Sequence, residues 1–337
     1  MCGVAGFFVG CEFASICAAE RPACAMFKPS DLVASWYDVA TVRRMPRRCL
    51  NEDDIKSSLF PVELAPAAQH PLVTALDAEQ VLGLLNNHLF RYLDFTAKLE
   101  MVVVNDVVKD LVFGHTPFHL SDDAILCAHQ IYVDEAYHAL FSVDLLHQAK
   151  KLLGIDPILP QKPAFLVVLN DLLSRANSEH HRRLIRLFFV IVSETLITSS
   201  LTDVRRSRET TDAVRRSIGD HAVDEARHQV FFAELLIAIW PELNDADRRF
   251  CLRLIPDLIF AFVRPDLAAI RSELIGHGLS AAQSEIVLHD VYGEETIRAY
   301  ARDCSAYLMK TIQPLDEFAA SDVAAEFCAS GLHPRLQ

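Results

Sequence analysis

An all-α fold, a four-helix bundle with additional flanking helices, is what this sequence predicts. Three observations carry it. The chain is 51% hydrophobic with 11 Gly in 337 residues, a composition suited to a compact helical protein with a large core. Long segments repeat apolar residues at helical spacing, and no alternating stretch is long enough to build a sheet. A five-residue motif, Asp-Glu-Ala-x-His, occurs inside two such segments, at 134–138 and again at 224–228.

Taken in order, residues 1–29 are small and apolar, but they lack a basic leading region. Glu12 and Glu20 interrupt the run, so it reads as a loosely ordered N-terminal extension, neither signal nor membrane span. A helix is expected from Ser30 to about Met45, stopped by Pro46. Its end carries Arg43-Arg44-Met45-Pro46-Arg47-Arg48, read as a solvated basic patch. Pro61, Pro66 and Pro71 make 50–75 an extended lead-in. The first long helix should run from Ala78 to Phe113, carry Glu100 and stop at Gly114-His-Thr-Pro117. Ser121 then caps a second helix, bearing Glu135 and His138 and ending near Gly154. After Pro157, Pro160 and Pro163, helices are expected over 163–175 and 178–202, the latter holding Glu194. The helix over 206–240 follows, closed by Pro241. Further helices are expected over 245–263 (kinked at Pro256), 265–276, 280–289 and 294–310. Residues 30–315 thus form one domain, with 316–337 as a C-terminal tail.

The chemistry sits on four of these helices. His221, Glu225 and His228 have i, i+4, i+7 spacing and share one helix face. Two imidazoles and a carboxylate converging there suit iron, manganese or zinc. Di-metal carboxylate bundles use a Glu-x-x-His pair on each of two helices and one further Glu from each of the other two. Glu135/His138 and Glu225/His228 supply the pairs; Glu100 and Glu194, both flanked by apolar residues, supply the rest. Glu135 and Glu225 stand 90 residues apart, as do His138 and His228, while Glu100 and Glu194 stand 94 apart. That regularity suggests a duplicated helical hairpin. Asp134 and Asp224, each preceding a ligand Glu, are placed to accept the outer N–H of a metal-bound His. His221 is a seventh ligand beyond the usual scheme, making one metal richer in imidazole. Zinc in such a site could hydrolyse but not reduce O₂, whereas iron can.

The formal charge of −13 argues against nucleic acid or anionic membrane as a partner. Nine irregularly spaced cysteines, with no CxxC pair, read as reduced thiols of a cytoplasmic protein. No Gly-rich phosphate loop, dinucleotide fingerprint or nucleophile-triad signature is present. With no flavin, haem or iron–sulfur motif, reducing equivalents must come from an external reductase or ferredoxin.

Over roughly residues 55–300 the chain resembles the p-aminobenzoate N-oxygenase-like di-iron oxygenases. The resemblance lies in Phe60-Pro-Val-Glu-Leu, His70-Pro71-Leu72, Glu100, Asp134-Glu-Ala-Tyr-His138, Val192-Ser-Glu-Thr195 and His221-x-x-Asp-Glu-x-x-His228. It implies a ferritin-like bundle, usually dimeric, that oxygenates an amine nitrogen with O₂ at two irons. The ligand set it implies is Glu100, Glu135, His138, Glu194, His221, Glu225 and His228. The products would be hydroxylamine, nitroso or nitro compounds of secondary metabolism. A di-iron C–H hydroxylase or desaturase, and a non-catalytic metal-binding helical protein, are the alternatives.

Helix geometry puts Tyr92 and Thr96 on the Glu100 face, with Phe95 beside them, as a substrate pocket. The aminobenzoate-oxidising enzymes resemble this chain at Tyr92 but carry an Arg for the substrate carboxylate where Phe95 stands. Arg91, one position from Tyr92, should point elsewhere. A bulky or neutral arylamine, or an aminoacyl group tethered to a carrier protein, is therefore expected in place of free p-aminobenzoate.

Overall fold

The computed structural model describes residues 29–332 apart from 57, 158 and 207–209, with side chains of 29, 30 and 198–206 also left aside. The N-terminal extension expected over 1–29 lies outside them but for Pro29. No strand occurs among the described residues, and the all-α architecture is as the sequence predicts.

The chain opens with α1 (Pro29–Val39) and the short α2 (Thr41–Arg44). Ala40, at ψ 128°, separates them where one continuous helix is expected. The proline-rich lead-in is a string of 3₁₀ turns ending in α3 (Pro71–Thr74). Asp77 and Gln80 form a reciprocal capping box at the start of α4 (Ala78–Leu99). The first long helix does not run straight through: Glu100–Val104 form a π-turn before α5 (Asn105–Val112) resumes the α-form. Such bulges concentrate at functional sites, and periodicity alone cannot show one.

Ser121 caps α6 (Asp122–Leu153) and Gly154, at φ +68°, ends it, both as the sequence indicates. Next come α7 (Ala164–Arg175), α8 (Glu179–Arg206) and α9 (Asp212–Ile239). Helix α8 extends past its expected end and α9 starts correspondingly later. Pro256 lies inside α10 (Asp245–Val263), whose helical form continues on both sides. The chain proceeds through α11 (Leu267–Gly276), α12 (Ala281–Val291), α13 (Glu294–Cys304) and α14 (Ala306–Ile312). Buried Ser305 divides the last two, which the sequence suggests as one helix.

The expected C-terminal tail is structured instead. Residues Ser321–Ser330 form α15, which packs on α10 and buries Val323 and Phe327 completely. Two aromatic or branched side chains at i and i+4 are enough to dock so short a helix.

Four helices frame the centre: α4 with its π-turn packs on α6, and α8 packs on α9. Their shared core is dominated by large apolar side chains, among them Phe90, Phe188, Phe189 and Phe232. Helices α1 and α2 form a strap that touches both α6 and α9.

Candidate metal centre

Burial makes the centre unusual. Glu100, Glu135, His138, Glu194 and Glu225 are 0% exposed, and His221 and His228 are 1% exposed. Desolvating that many charges is untenable without compensation. The structure brings all seven together in three overlapping groups whose candidate ligand atoms lie within 4.8 Å of one another. One contains Glu135, His138, Glu225 and His228; a second Glu100, His221 and Glu225; a third Glu100, Glu135 and Glu194.

Helices α6 and α9 contribute most of it. His228 Nδ1 lies 2.7 Å from Glu135 Oε1 and 3.3 Å from Glu225 Oε1. His138 Nδ1 lies 3.0 Å from Glu135 Oε2 and 3.2 Å from Glu225 Oε1. His221 enters through its other nitrogen, Nε2, at 3.0 Å from Glu225 Oε1 and 3.7 Å from Glu100 Oε1. Glu100 opens the π-turn, and Glu194 on α8 reaches within 3.8 Å of His228 Nδ1.

Neither oxygen of Glu100 or of Glu194 has a hydrogen-bond partner among the described residues. Burial, with the charges of Glu135 and Glu225, pushes both carboxyls well above the usual range. Burial and neighbouring His138 lower His221, which favours its neutral form. A buried set of four carboxylates and three imidazoles, two of the carboxylates with no hydrogen-bond donor, fits divalent cations, which would displace the protons the site otherwise holds.

The outward nitrogens show a crossed arrangement. His138 Nε2 meets Asp224 Oδ2 at 3.2 Å, and His228 Nε2 meets Asp134 Oδ2 at 3.3 Å. Each motif's aspartate therefore serves the other motif's histidine. Arg227 Nη2 donates to both aspartates, at 2.9 Å to Asp134 and 2.7 Å to Asp224. Trp36 Nε1 donates to both oxygens of Asp134, at 3.0 and 2.9 Å, and the Thr41 hydroxyl donates to Asp224. Burial alone would raise Asp224; bonds from His138 and Thr41 hold its carboxyl at about 2.

A sequence profile of the family described as P-aminobenzoate N-oxygenase AurF matches residues 47–316. The chain belongs to that family. It is accordingly a non-haem di-iron amine N-oxygenase. A 4-aminobenzoate N-oxygenase from Streptomyces thioluteus is 27% identical over 261 residues, covering 73% of this chain and 76% of that protein.

Of the residues expected to line a substrate pocket, two lie near the ligands. Burial and the Glu100 and Glu225 charges push the Tyr92 phenol up, and Thr96 is buried one turn before Glu100. Phe95 instead packs edge-on against Phe165 at 4.8 Å and Phe262 at 5.9 Å. Arg91 turns away, as expected, to pair with Glu273 of α11. Sequence reasoning missed Trp36, Thr41 and Arg227. The one available signal was the basic residue inside Asp-Glu-Ala-Arg-His, where its twin has Tyr137.

Proposed function

We propose that Glu100, Glu135, His138, Glu194, His221, Glu225 and His228 hold two iron ions. On this reading the protein uses O₂ to convert an amine into a hydroxylamine, nitroso or nitro product in secondary metabolism. The carrying observation is the state of Glu100 and Glu194, buried among other carboxylates without a hydrogen-bond donor. Bound iron supplies activation of O₂ and oxygen transfer, with electrons from an external reductase or ferredoxin.

The chain's own residues set the conditions. Asp134 and Asp224 hold the Nε2 side of His228 and His138 outward, so that Nδ1 of each ring faces the carboxylates and is the nitrogen that would bind iron once its proton is lost. Arg227 balances the charge of both aspartates. Tyr92 keeps its phenol proton, favoured by burial and by the charges of Glu100 and Glu225.

The substrate reading follows from two commitments on α4. Arg91 is held by Glu273, and Phe95 sits among aromatic rings. A substrate carboxylate would thus find no cation at either position, which favours a bulky or neutral arylamine, or an aminoacyl group on a carrier protein. Leu126, Val133 and Leu140, exposed at seven-residue intervals along α6, support a homodimer. No helix among the described residues is long and apolar enough to cross a membrane, which accords with the proposed cytoplasmic setting.

Anaerobic iron loading and one turnover with isotopically labelled O₂ across a panel of amines test this reading. Two irons per chain and label on nitrogen are expected. Under one iron per chain, or label only on carbon, would sink it.

A further inference from the structure

The strap formed by α1 and α2 is joined to the metal centre on one side by an aromatic ring. Trp36 donates to Asp134 at 2.9 Å, Asp134 meets His228 Nε2 at 3.3 Å, and His228 Nδ1 faces the carboxylates. On its other side, Trp36 meets the Tyr37 ring edge-on at 5.3 Å, and Tyr37 is 52% exposed. The second aspartate, Asp224, is held instead by the hydroxyl and backbone N–H of Thr41 and by Arg227, with no aromatic ring among these partners. An unbroken path from surface to centre therefore runs through Trp36.

The surface at that point differs in charge from the rest of the chain. Arg43, Arg44 and Arg47 are exposed, in a protein whose formal charge is −13. The Arg43 guanidinium lies over both rings, 5.5 Å from Trp36 and 5.1 Å from Tyr37. Arg43 and Arg44 bond to the backbone carbonyls of Tyr37 and Asp38, and among the described residues neither meets a carboxylate. Arg47 is paired with Asp144 and Arg48 with Asp220. The Asp38 side chain, also exposed, is the acid within the patch. Tyr37, Val39 and Met45 add exposed apolar surface around the arginines. A small patch mixing cations with apolar groups suits a brief encounter with an acidic protein, steered by charge against an otherwise repelling surface.

We propose that the α1–α2 strap is the electron-entry surface. It docks an acidic one-electron carrier of the iron–sulfur ferredoxin class over Arg43 and Arg44, and Trp36 couples that carrier to the centre through Asp134 and His228. The proposal rests on the di-iron reading above. Two reduced carriers dock in turn; each gives up one electron and leaves oxidised, and the metal pair gains one electron each time. No bond forms or breaks, and Trp36 ends each transfer unchanged. Trp36 acts through Asp134 and is a positioning and coupling residue, distinct from the ligands.

The test uses an acidic plant-type [2Fe–2S] ferredoxin as probe. Calorimetry on the metal-free protein should show binding that weakens at least ~10-fold between about 50 and 200 mM salt. The double charge reversal Arg43→Glu/Arg44→Glu should weaken it by at least ~10-fold at the lower salt. In the iron-loaded protein, Trp36→Phe should slow reduction by bound ferredoxin ~10-fold or more beyond any change in reduction by dithionite, while leaving ferredoxin affinity unchanged. Unaltered affinity in the charge-reversal variant, or no ferredoxin binding to the wild type, overturns the docking surface. Equal slowing with ferredoxin and dithionite, or no slowing at all, overturns the coupling role of Trp36. A wild type that loads no iron defeats the di-iron reading instead, and calorimetry on the metal-free chain still decides the docking surface.

Discussion

Asp224 on α9 accepts from His138 on α6, and its twin Asp134 returns the contact to His228. The exchange ties the two helices together at the centre, so neither motif orients its own imidazole. Asp224→Asn should disturb the tautomer of His138, which lies 86 residues away. Iron affinity should fall about 10–100-fold, read by competition with a calibrated chelator. Unchanged affinity would mean that the carboxylate only fills space.

Arg227 bridges both aspartates, and its loss removes the guanidinium charge that offsets two fully buried carboxylates. Arg227→Met keeps much of the aliphatic bulk but removes the charge. Destabilisation of about 3–5 kcal/mol is expected from urea unfolding of the metal-free protein. Pairing that variant with Asp134→Asn and Asp224→Asn should recover part of the loss.

Glu135 and Glu225 each lie in two of the three overlapping groups of candidate ligands. Glu225→Ala should reduce iron from two per chain to one or none, because the remaining donors no longer offset two adjacent divalent ions. His221→Ala, by contrast, should retain substantial iron and change the absorption spectrum. Two irons with an unaltered spectrum in Glu225→Ala would remove that residue from the ligand set.

Without metal, the centre should respond to pH in a defined direction. Burial and mutual repulsion raise Glu100 and Glu194 in the folded state. His138 and His228 are also raised: burial opposes, but the surrounding carboxylates prevail. Groups with raised folded pKa give stability that is fully present below the unfolded value and lost as pH rises. His221, His88 and His277, lowered by burial, act in the opposite sense, but the four raised groups outnumber them, so the metal-free protein should melt at lower temperature as pH increases from about 5 to about 8. Iron loading should flatten or invert that slope, since metal binds the deprotonated donors. Differential scanning calorimetry at several pH values checks it, and a metal-free Tm that climbs over this range contradicts it.

Phe95 offers the last case. Its ring packs between Phe165 and Phe262, so Phe95→Arg would force a guanidinium into an aromatic cluster. Loss of several kcal/mol is expected, on the order of a large-to-small core change, with no gain of turnover on a carboxylated arylamine. A stable variant that oxidises such an amine would place Phe95 at the substrate.

Much of the centre was legible because its chemistry is periodic. Glu100, Glu135, His138, Glu194, His221, Glu225 and His228 all follow from helix spacing and from carboxylates set in apolar runs, and the structure brings them together. Less visible was what depends on how helices meet. The exchange between Asp134 and Asp224 needs the separation of α6 and α9, and Trp36 reaches Asp134 across 98 positions. Neither leaves a local pattern. Phe95 shows the limit from the other side: it is one residue from Thr96, yet about 100° of rotation turns it from the ligand face into the core. Helix α15 escaped notice because a ten-residue segment with two anchoring side chains has little periodicity of its own.

The π-turn that begins at Glu100 is what a helix becomes when it accepts one additional residue without moving its ends. Seen so, α4 and α5 are two reading frames of a single rod, offset where Met101 and Val102 bulge to the surface. A single deletion between Met101 and Val104 would merge the frames. It would swing Val107, Val108 and Leu111 about 100° off the core they now fill. Length variation at this point is thus coupled to the whole downstream helix, and a relative one residue shorter here would need a differently patterned α5.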